Sequence, residues 1–381
     1  MKKKNIEISR PLTGVEEWKE IKESILSGWL TQGPKVRKFE EMFSQYHRAK
    51  YSLATTSCTT ALHLALLANN IGKGDEVIVP AFTWVSTANV VLYCGAKLVL
   101  ADVDKKTFNI CISDVLSKIT GKTKAVIPVH LFGLCVDIDK LKKGLPKTVK
   151  IIEDAACAAG AIYKNKFAGT LGDAAAFSFH PRKSITTGEG GMLTSNNKKF
   201  IIKAEKLRNH GAEISEEQRH KGPKPYLLPD FNFLGYNYRM TDIQGSVGIA
   251  QIRKLNRIIK ERSKWAKFYR RELSKIEWIL CPSEPKVGRH SWQAFVMYIN
   301  PESSPAKRND IMDFLEKKGI STRPGTHAIH TLNYYAKKFN YKPKNFPNAF
   351  DCQNNTIALP LHNFMSKSDY EFVVKCIKEI K

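Results

Sequence analysis

The 381-residue chain has no C-x-x-C pair and no long apolar run. Its eight cysteines (Cys58, Cys94, Cys111, Cys135, Cys157, Cys281, Cys352 and Cys376) are too sparse for a disulfide scaffold. Without C-x-x-C spacing, neither a zinc ribbon nor a thioredoxin-type site is supported, and no metal is expected. Free thiols in a reducing cytoplasm fit this usage best. No uncharged apolar stretch reaches the roughly 18 residues of a membrane helix. The opening Met1-Lys2-Lys3-Lys4-Asn5 is basic, but no apolar run follows it, so a secretory leader is not expected. A Walker-type G-x-x-x-x-G-K loop is absent as well. Acidic residues are in the minority, 36 Asp and Glu against 61 Lys and Arg, for a formal charge of +25. Such a surplus raises nucleic acid as a partner. The lysines are scattered in short clusters such as Lys198-Lys199, without interleaved aromatics, so no nucleic acid is expected. The charge reads as a solvated basic surface, or as a field that draws anionic ligands.

What is present is globular: 43% hydrophobic and 25% charged residues. The length suits a large domain with a smaller one. Helices are expected over 14–29 and 36–47, flanking a Thr-Gln-Gly-Pro turn at 31–34. From Leu53 onward short apolar strands alternate with helical runs. The strands are Ser52–Thr55, Glu76–Pro80, Lys97–Asp102, Ala125–His130, Val149–Glu153, Ala174–Ser178 and Gly191–Ser195. They show little polar alternation, which predicts a mostly parallel sheet between two helical layers. A long helix follows from Thr241 to near Leu273, then a smaller α+β domain. The expected division is 1–245 and 246–381. The Pro-rich stretch 220–229 reads as a loop, ordered on assembly.

Four segments carry chemistry, each ending a predicted strand. Phe179-His180-Pro181-Arg182-Lys183-Ser184-Ile185-Thr186-Thr187-Gly188 places a lysine in a tight turn. Shielded from water, such an amine becomes a nucleophile; a surface lysine in a turn looks the same. Ile151-Ile152-Glu153-Asp154 ends a buried strand in a carboxylate able to hold the proton of a pyridine nitrogen. A helix-capping Asp is the other reading. Thr56-Ser57-Cys58-Thr59-Thr60 opens a helix, as a phosphate site or as plain capping. Pro80-Ala81-Phe82-Thr83-Trp84 offers a ring that stacks on a flat cofactor or packs in a core. Four such features at the C-terminal edge of one sheet, where open α/β sheets bind ligands, favour a site.

Taken together, these segments resemble the DegT/StrS-type sugar aminotransferases, with the fold type I architecture of pyridoxal-phosphate enzymes. The resemblance runs over nearly the whole chain. It is carried by G-W-L-T-Q-G-P-K-V (28–36), S-C-T-T-A-L-H-L-A-L (57–66), G-D-E-V-I-V-P-A-F-T-W-V (74–85), I-E-D-A-A (152–156), F-H-P-R-K-S-I-T-T-G-E-G-G (179–191) and G-Y-N-Y-R-M-T-D-I-Q (235–244). It implies pyridoxal 5′-phosphate as cofactor and Lys183 as its covalent anchor and proton carrier. Asp154 would pair with the ring nitrogen, and Trp84 would stack on the ring. Ser57, Thr59, Thr60 and Ser178 would hold the phosphate, with Asn237 reaching it from the neighbouring subunit of a homodimer. Arg239 is the candidate for the amino donor's carboxylate, by family habit glutamate's, or for a structural ion pair. His180, His327 and His330 would border a nucleotide-linked keto-sugar, with a packing role as the other reading of His327 and of His330. Cys157 stands where relatives often have Gln or His near the ring hydroxyl. The Arg323–His330 segment departs from the usual H-Y-x-P-L-H pattern, so the sugar is not read from relatives. Two other readings stay open: a sugar dehydratase on the same fold, which has histidine in place of the lysine, and a non-catalytic regulator.

Overall fold

The computed structural model describes residues 5–213, 226, 228 and 230–380. Its centre is a seven-stranded sheet. The strands are β1 (Tyr51–Thr55), β2 (Glu76–Pro80), β4 (Lys97–Ala101), β5 (Thr123–Val126), β6 (Lys150–Asp154), β9 (Ala174–Ser178) and β10 (Gly191–Ser195). They lie side by side in the order β1-β10-β9-β6-β5-β2-β4. Short strands β3 (Phe82–Thr83), β7 (Ile162–Tyr163) and β8 (Lys166–Phe167) lie outside this sheet. From β4 to β9 every pairing is parallel, while β10 runs antiparallel to both β9 and β1. The sheet is therefore mostly parallel, as the unalternating apolar strands predict. Val77, Ile78, Val79 and Ile152 are fully buried, so the sheet is covered on both faces. Helix Cys58–Ala68 has Ala61, Leu62, Leu64 and Ala65 fully buried and serves as one of the covering elements.

One strand differs from the sequence expectation. Instead of Ala125–His130, pairing is regular only over Thr123–Val126. Pro128 has no N–H to give a ladder, so the chain continues through single contacts. Ile127 N–H donates to Ile78 O at 2.8 Å, and His130 N–H to Asp154 O at 3.0 Å.

The long helix Asp242–Leu273 is capped by Thr241, whose hydroxyl accepts the Gln244 N–H at 3.2 Å. Its Ile249, Ile252, Leu255 and Ile258 share a core with Val36, Phe39 and Phe43. Farther along, Trp265, Tyr269 and Leu273 enter a second core with Phe295, Met297, Leu315 and Tyr370. That second core lies on the antiparallel sheet β11 (Ile279–Leu280), β13 (Phe295–Ile299), β15 (Thr356–Leu359). Two further pairs are short: β12 (Gly288–Arg289) on β7, and β14 (His327–Ala328) on β3. We propose that the long helix joins the bodies expected at 1–245 and 246–381. Among the described residues, no helix is long and apolar enough to cross a membrane.

Candidate active site

The ends of β1, β2, β6 and β9 and the start of β10 share one sheet edge. At the end of β1 the chain turns into helix Cys58–Ala68. Ser57 Oγ accepts the Thr60 N–H at 3.1 Å, and Thr60 Oγ1 accepts the Ser57 N–H at 3.0 Å. This reciprocal box fixes the turn. The amides of Cys58 and Thr59, in the first turn, have no intrahelical acceptor, and the positive end of the helix dipole lies there. Gly191 permits the close approach: a Cβ would stand 2.3 Å from the Ser57 carbonyl carbon and 2.5 Å from the Cys58 nitrogen. Gly191 pairs with Ser178 across the β9–β10 ladder. Ser57, Thr60 and Ser178 thus meet around one helix N-terminus, with half-buried Thr59 beside them.

Asp154, at the end of β6, is 4% exposed. Its Oδ2 accepts the Thr87 hydroxyl at 2.8 Å and its Oδ1 the Ala156 N–H at 3.1 Å. Among the described residues, no ion pair to a cation is formed by this carboxylate. Burial pushes its pKa up, only partly offset by Thr87, the Ala156 N–H and the charges of Lys183 and His130. The preceding Glu153 is the opposite case, fully buried but saturated. Glu153 accepts the N–H groups of Gly169, Leu171 and Gly172 at 2.8, 2.8 and 2.7 Å, and lies 2.9 Å from His130 Nε2. Because His130 Nδ1 accepts the Val136 N–H at 3.1 Å, the pattern assigns the ring proton to Nε2. Glu153 therefore holds the fold of this edge, and Asp154 is left without an ion-pair partner among the described residues.

Lys183 sits in the turn after β9. Its N–H donates to His180 O at 2.8 Å, and its Nζ donates to Cys157 Sγ at 3.2 Å. Thr186 Oγ1 ties the same turn to Phe179 O at 2.7 Å. Burial pulls the Lys183 pKa down, but the Cys157, Cys58 and Asp154 side chains outweigh it and the net direction is up. Lys183 and Asp154 therefore lie in each other's field. A loop from beyond the long helix clamps both segments. Arg289 Nε donates to Gly160 O at 2.8 Å, Ser291 Oγ to Cys157 O at 2.9 Å and Gln293 Nε2 to Arg182 O at 3.0 Å. Trp292, in the middle of that loop, takes a left-handed φ of 51°. Buried Arg262 holds it there, its Nη1 donating to Trp292 O and Gln293 O at 3.1 and 2.9 Å.

The remaining sequence candidates are placed unevenly. Trp84 is 60% exposed, and its ring centroid lies 5.5 Å from that of exposed His327. Pairing of His327 with Thr83 sets that meeting. His330 is different: it is fully buried, 3.3 Å from Pro343 O and with its ring tilted 59° against Phe346 at 5.0 Å, in packing rather than on a rim. His180 is half-buried, its Nδ1 accepting the Arg182 N–H at 3.2 Å; burial lowers its pKa against the pull of Glu189. Arg239 Nη1 donates to Asn209 Oδ1 at 2.7 Å, and exposed Asn237 bridges Asn209 through the backbone. Most of the 220–229 loop lies outside the described residues; Tyr226 and Leu228 are exposed. Sequence reasoning missed Thr87, the Glu153–His130 pair and the 289–293 clamp. Thr87 alone had a signal, three residues beyond Trp84 at the same strand end.

A flat, anionic, proton-bearing heterocycle fits these groups. The helix N-terminus suits its phosphate, the buried carboxylate lacks a cation, and an amine and an open indole face the same edge. The DegT/DnrJ/EryC1/StrS aminotransferase family profile matches residues 11–378. The spore coat polysaccharide biosynthesis protein SpsC of Bacillus subtilis is 36% identical over 374 residues, 98% of this chain and 96% of SpsC. Among solved structures, Spr1654 of Streptococcus pneumoniae, provisionally named a sugar aminotransferase, superposes in its PMP form with a TM-score of 0.93. It shares 28% identity, with 99% of both chains covered. GDP-4-keto-6-deoxymannose-3-dehydratase (ColD) superposes with a TM-score of 0.89 at 26% identity, over 98% of this chain and all of that one. The chain belongs to the DegT/DnrJ/EryC1/StrS aminotransferase family, whose cofactor is pyridoxal 5′-phosphate.

Proposed function

We propose that this protein moves an amino group, taken from glutamate, onto the keto carbon of a nucleotide-linked deoxysugar. The observation that carries the reading is the buried Asp154 carboxylate, ion-paired to no cation among the described residues, in the field of the Lys183 amine. When bound, pyridoxal phosphate supplies a ring that takes up the negative charge left as the amino-bearing carbon loses its proton. Asp154 holds the proton on the ring nitrogen. Lys183 anchors the ring through Nζ, then takes and returns the substrate proton as general base and acid. Ser57, Thr59, Thr60, Ser178 and the helix N-terminus bind the phosphate. Trp84 would cover one ring face, and Cys157 lies beside Lys183. Asn237 of a second copy completes the phosphate site, which makes the working unit a homodimer. Arg239 takes the donor carboxylate, and His180 and His327 border the sugar. His330 supports that border from within.

ColD, a dehydratase, shares the fold, so the dehydratase reading has a structural counterpart. Lys183 stands against it, because the dehydratase pattern has histidine there. A regulator would not need Lys183, Asp154 and Trp84 at one edge. The test is a panel of nucleotide-linked keto-sugars incubated with glutamate and the cofactor-loaded protein, following 2-oxoglutarate. Release that depends on both substrates, with ping-pong kinetics, is expected. Loss of a sugar hydroxyl without nitrogen transfer would assign the dehydratase instead. SpsC, by its name a polysaccharide biosynthesis protein, supports a setting in surface-glycan synthesis.

A further inference from the structure

We propose that Cys157 and Lys183 are an oxidant-sensitive pair that peroxide joins through a covalent sulfur–nitrogen bond. The amine and the sulfur already touch, with Lys183 Nζ donating to Cys157 Sγ at 3.2 Å. Both residues are half-buried, so a molecule as small as hydrogen peroxide reaches them. Neither is a loose surface chain. The Cys157 carbonyl is held by Ser291 Oγ at 2.9 Å, and the Lys183 N–H by His180 O at 2.8 Å. The 289–293 loop grips both segments, so the contact persists as a unit. Cys58, by contrast, is buried with its sulfur 3.9 Å from Asp154 Oδ1, where a carboxylate discourages the thiolate that oxidation needs.

The Cys157 sulfur attacks one peroxide oxygen, an S–O bond forms, the O–O bond breaks and water leaves. Sulfur is oxidised by two electrons and the peroxide is reduced. The Lys183 nitrogen then attacks sulfur, an S–N bond forms, the S–O bond breaks and a second water departs with a proton from nitrogen. Thiol, amine and peroxide thus give a sulfenamide and two waters, and the protein is two hydrogens lighter. An added dithiol returns two electrons and restores both side chains. Joined in this way, Nζ keeps a single hydrogen and cannot form a double bond to an aldehyde carbon. That consequence for cofactor loading rests on the function proposed above, whereas the crosslink rests on the contact alone.

The full-length protein, freed of cofactor, is treated with hydrogen peroxide, digested and read by mass spectrometry. A peptide containing residue 157 joined to one containing residue 183, two hydrogens below their summed mass and split by dithiothreitol, is expected. Binding of pyridoxal phosphate, read by absorbance, should fall in step with the crosslink and return with dithiothreitol. Cys157→Ser should form no crosslink, and whatever cofactor it loads before peroxide it should load equally after peroxide. Cys157 oxidised to sulfinic or sulfonic acid beside a free Lys183, a bridge that retains oxygen, or an untouched Cys157 would each overturn the proposal. A crosslink in a protein that never binds pyridoxal phosphate would uphold this inference and sink the proposed function.

Discussion

Asp154→Asn separates a cofactor carboxylate from a structural one, because the two roles move stability in opposite directions. Asp154 is 4% exposed, accepts hydrogen bonds from Thr87 Oγ1 and the Ala156 N–H and a long one from the Cys58 thiol, and forms no ion pair with a cation among the described residues. Its pKa is raised, chiefly by burial. An acid with a raised folded-state pKa costs nothing below the unfolded value. As pH climbs through that value toward the folded one, the unfolded chain ionises first and stability falls. The amide removes that cost and keeps an oxygen for Thr87 or the Ala156 N–H. A buried polar group with imperfect partners costs about 1–3 kcal/mol, and the relief at neutral pH should be of that size. For a chain of this length that is a rise in Tm of roughly 1–4 °C. The gap between variant and parent should shrink at acid pH. Catalysis should fall by roughly 10²–10³ in kcat, as when a preorganised electrostatic partner is removed. Differential scanning calorimetry of the cofactor-free proteins across pH and steady-state rates of the loaded ones give both numbers. A variant less stable by several kcal/mol and nearly as active would show that Asp154 caps or braces the fold and never meets the ring.

Lys183→Ala should bind pyridoxal phosphate without a covalent link and without turnover; retained transamination would refute the assigned anchor. Thr87→Val removes the 2.8 Å hydrogen bond to Asp154 and should lower kcat about tenfold, since hydrogen bonds to charged groups are worth roughly 1.5–3 kcal/mol. Unchanged kinetics would mean that Thr87 does not set the carboxylate. Gly191→Ala drives a methyl group into the Ser57–Cys58 turn and should weaken cofactor binding more than it slows the loaded enzyme, which equilibrium titration against kcat resolves. Equal affinity would remove that turn from the phosphate site.

The parallel sheet was legible because its strands are short, apolar and separated by helical runs. Val77–Val79 and Ile151–Ile152 are buried on both faces and leave no alternating pattern. The strand at Thr123–Val126 was displaced because Pro128, hidden in an apolar run, interrupts the ladder. Helix Lys198–Arg208 was missed among scattered lysines, though it buries Phe200, Ile201, Ala204 and Leu207. At the site, Lys183, Asp154 and the Ser57 turn announce themselves by residue type at strand ends. Gln293 and Ser291 do not. They reach Arg182 and Cys157 across more than a hundred residues, and ordinary polar residues in a loop carry no mark of what they touch. His330 shows the converse: its motif position suggested the rim, and burial against Phe346 puts it in the packing.

Borohydride reduction of the protein mixed with pyridoxal phosphate, followed by peptide mapping, asks which amine bonds the cofactor. The expected product is a single pyridoxyl group on the nitrogen of residue 183, absent when alanine stands there. A label spread over surface lysines, or none at all, would contradict the assignment.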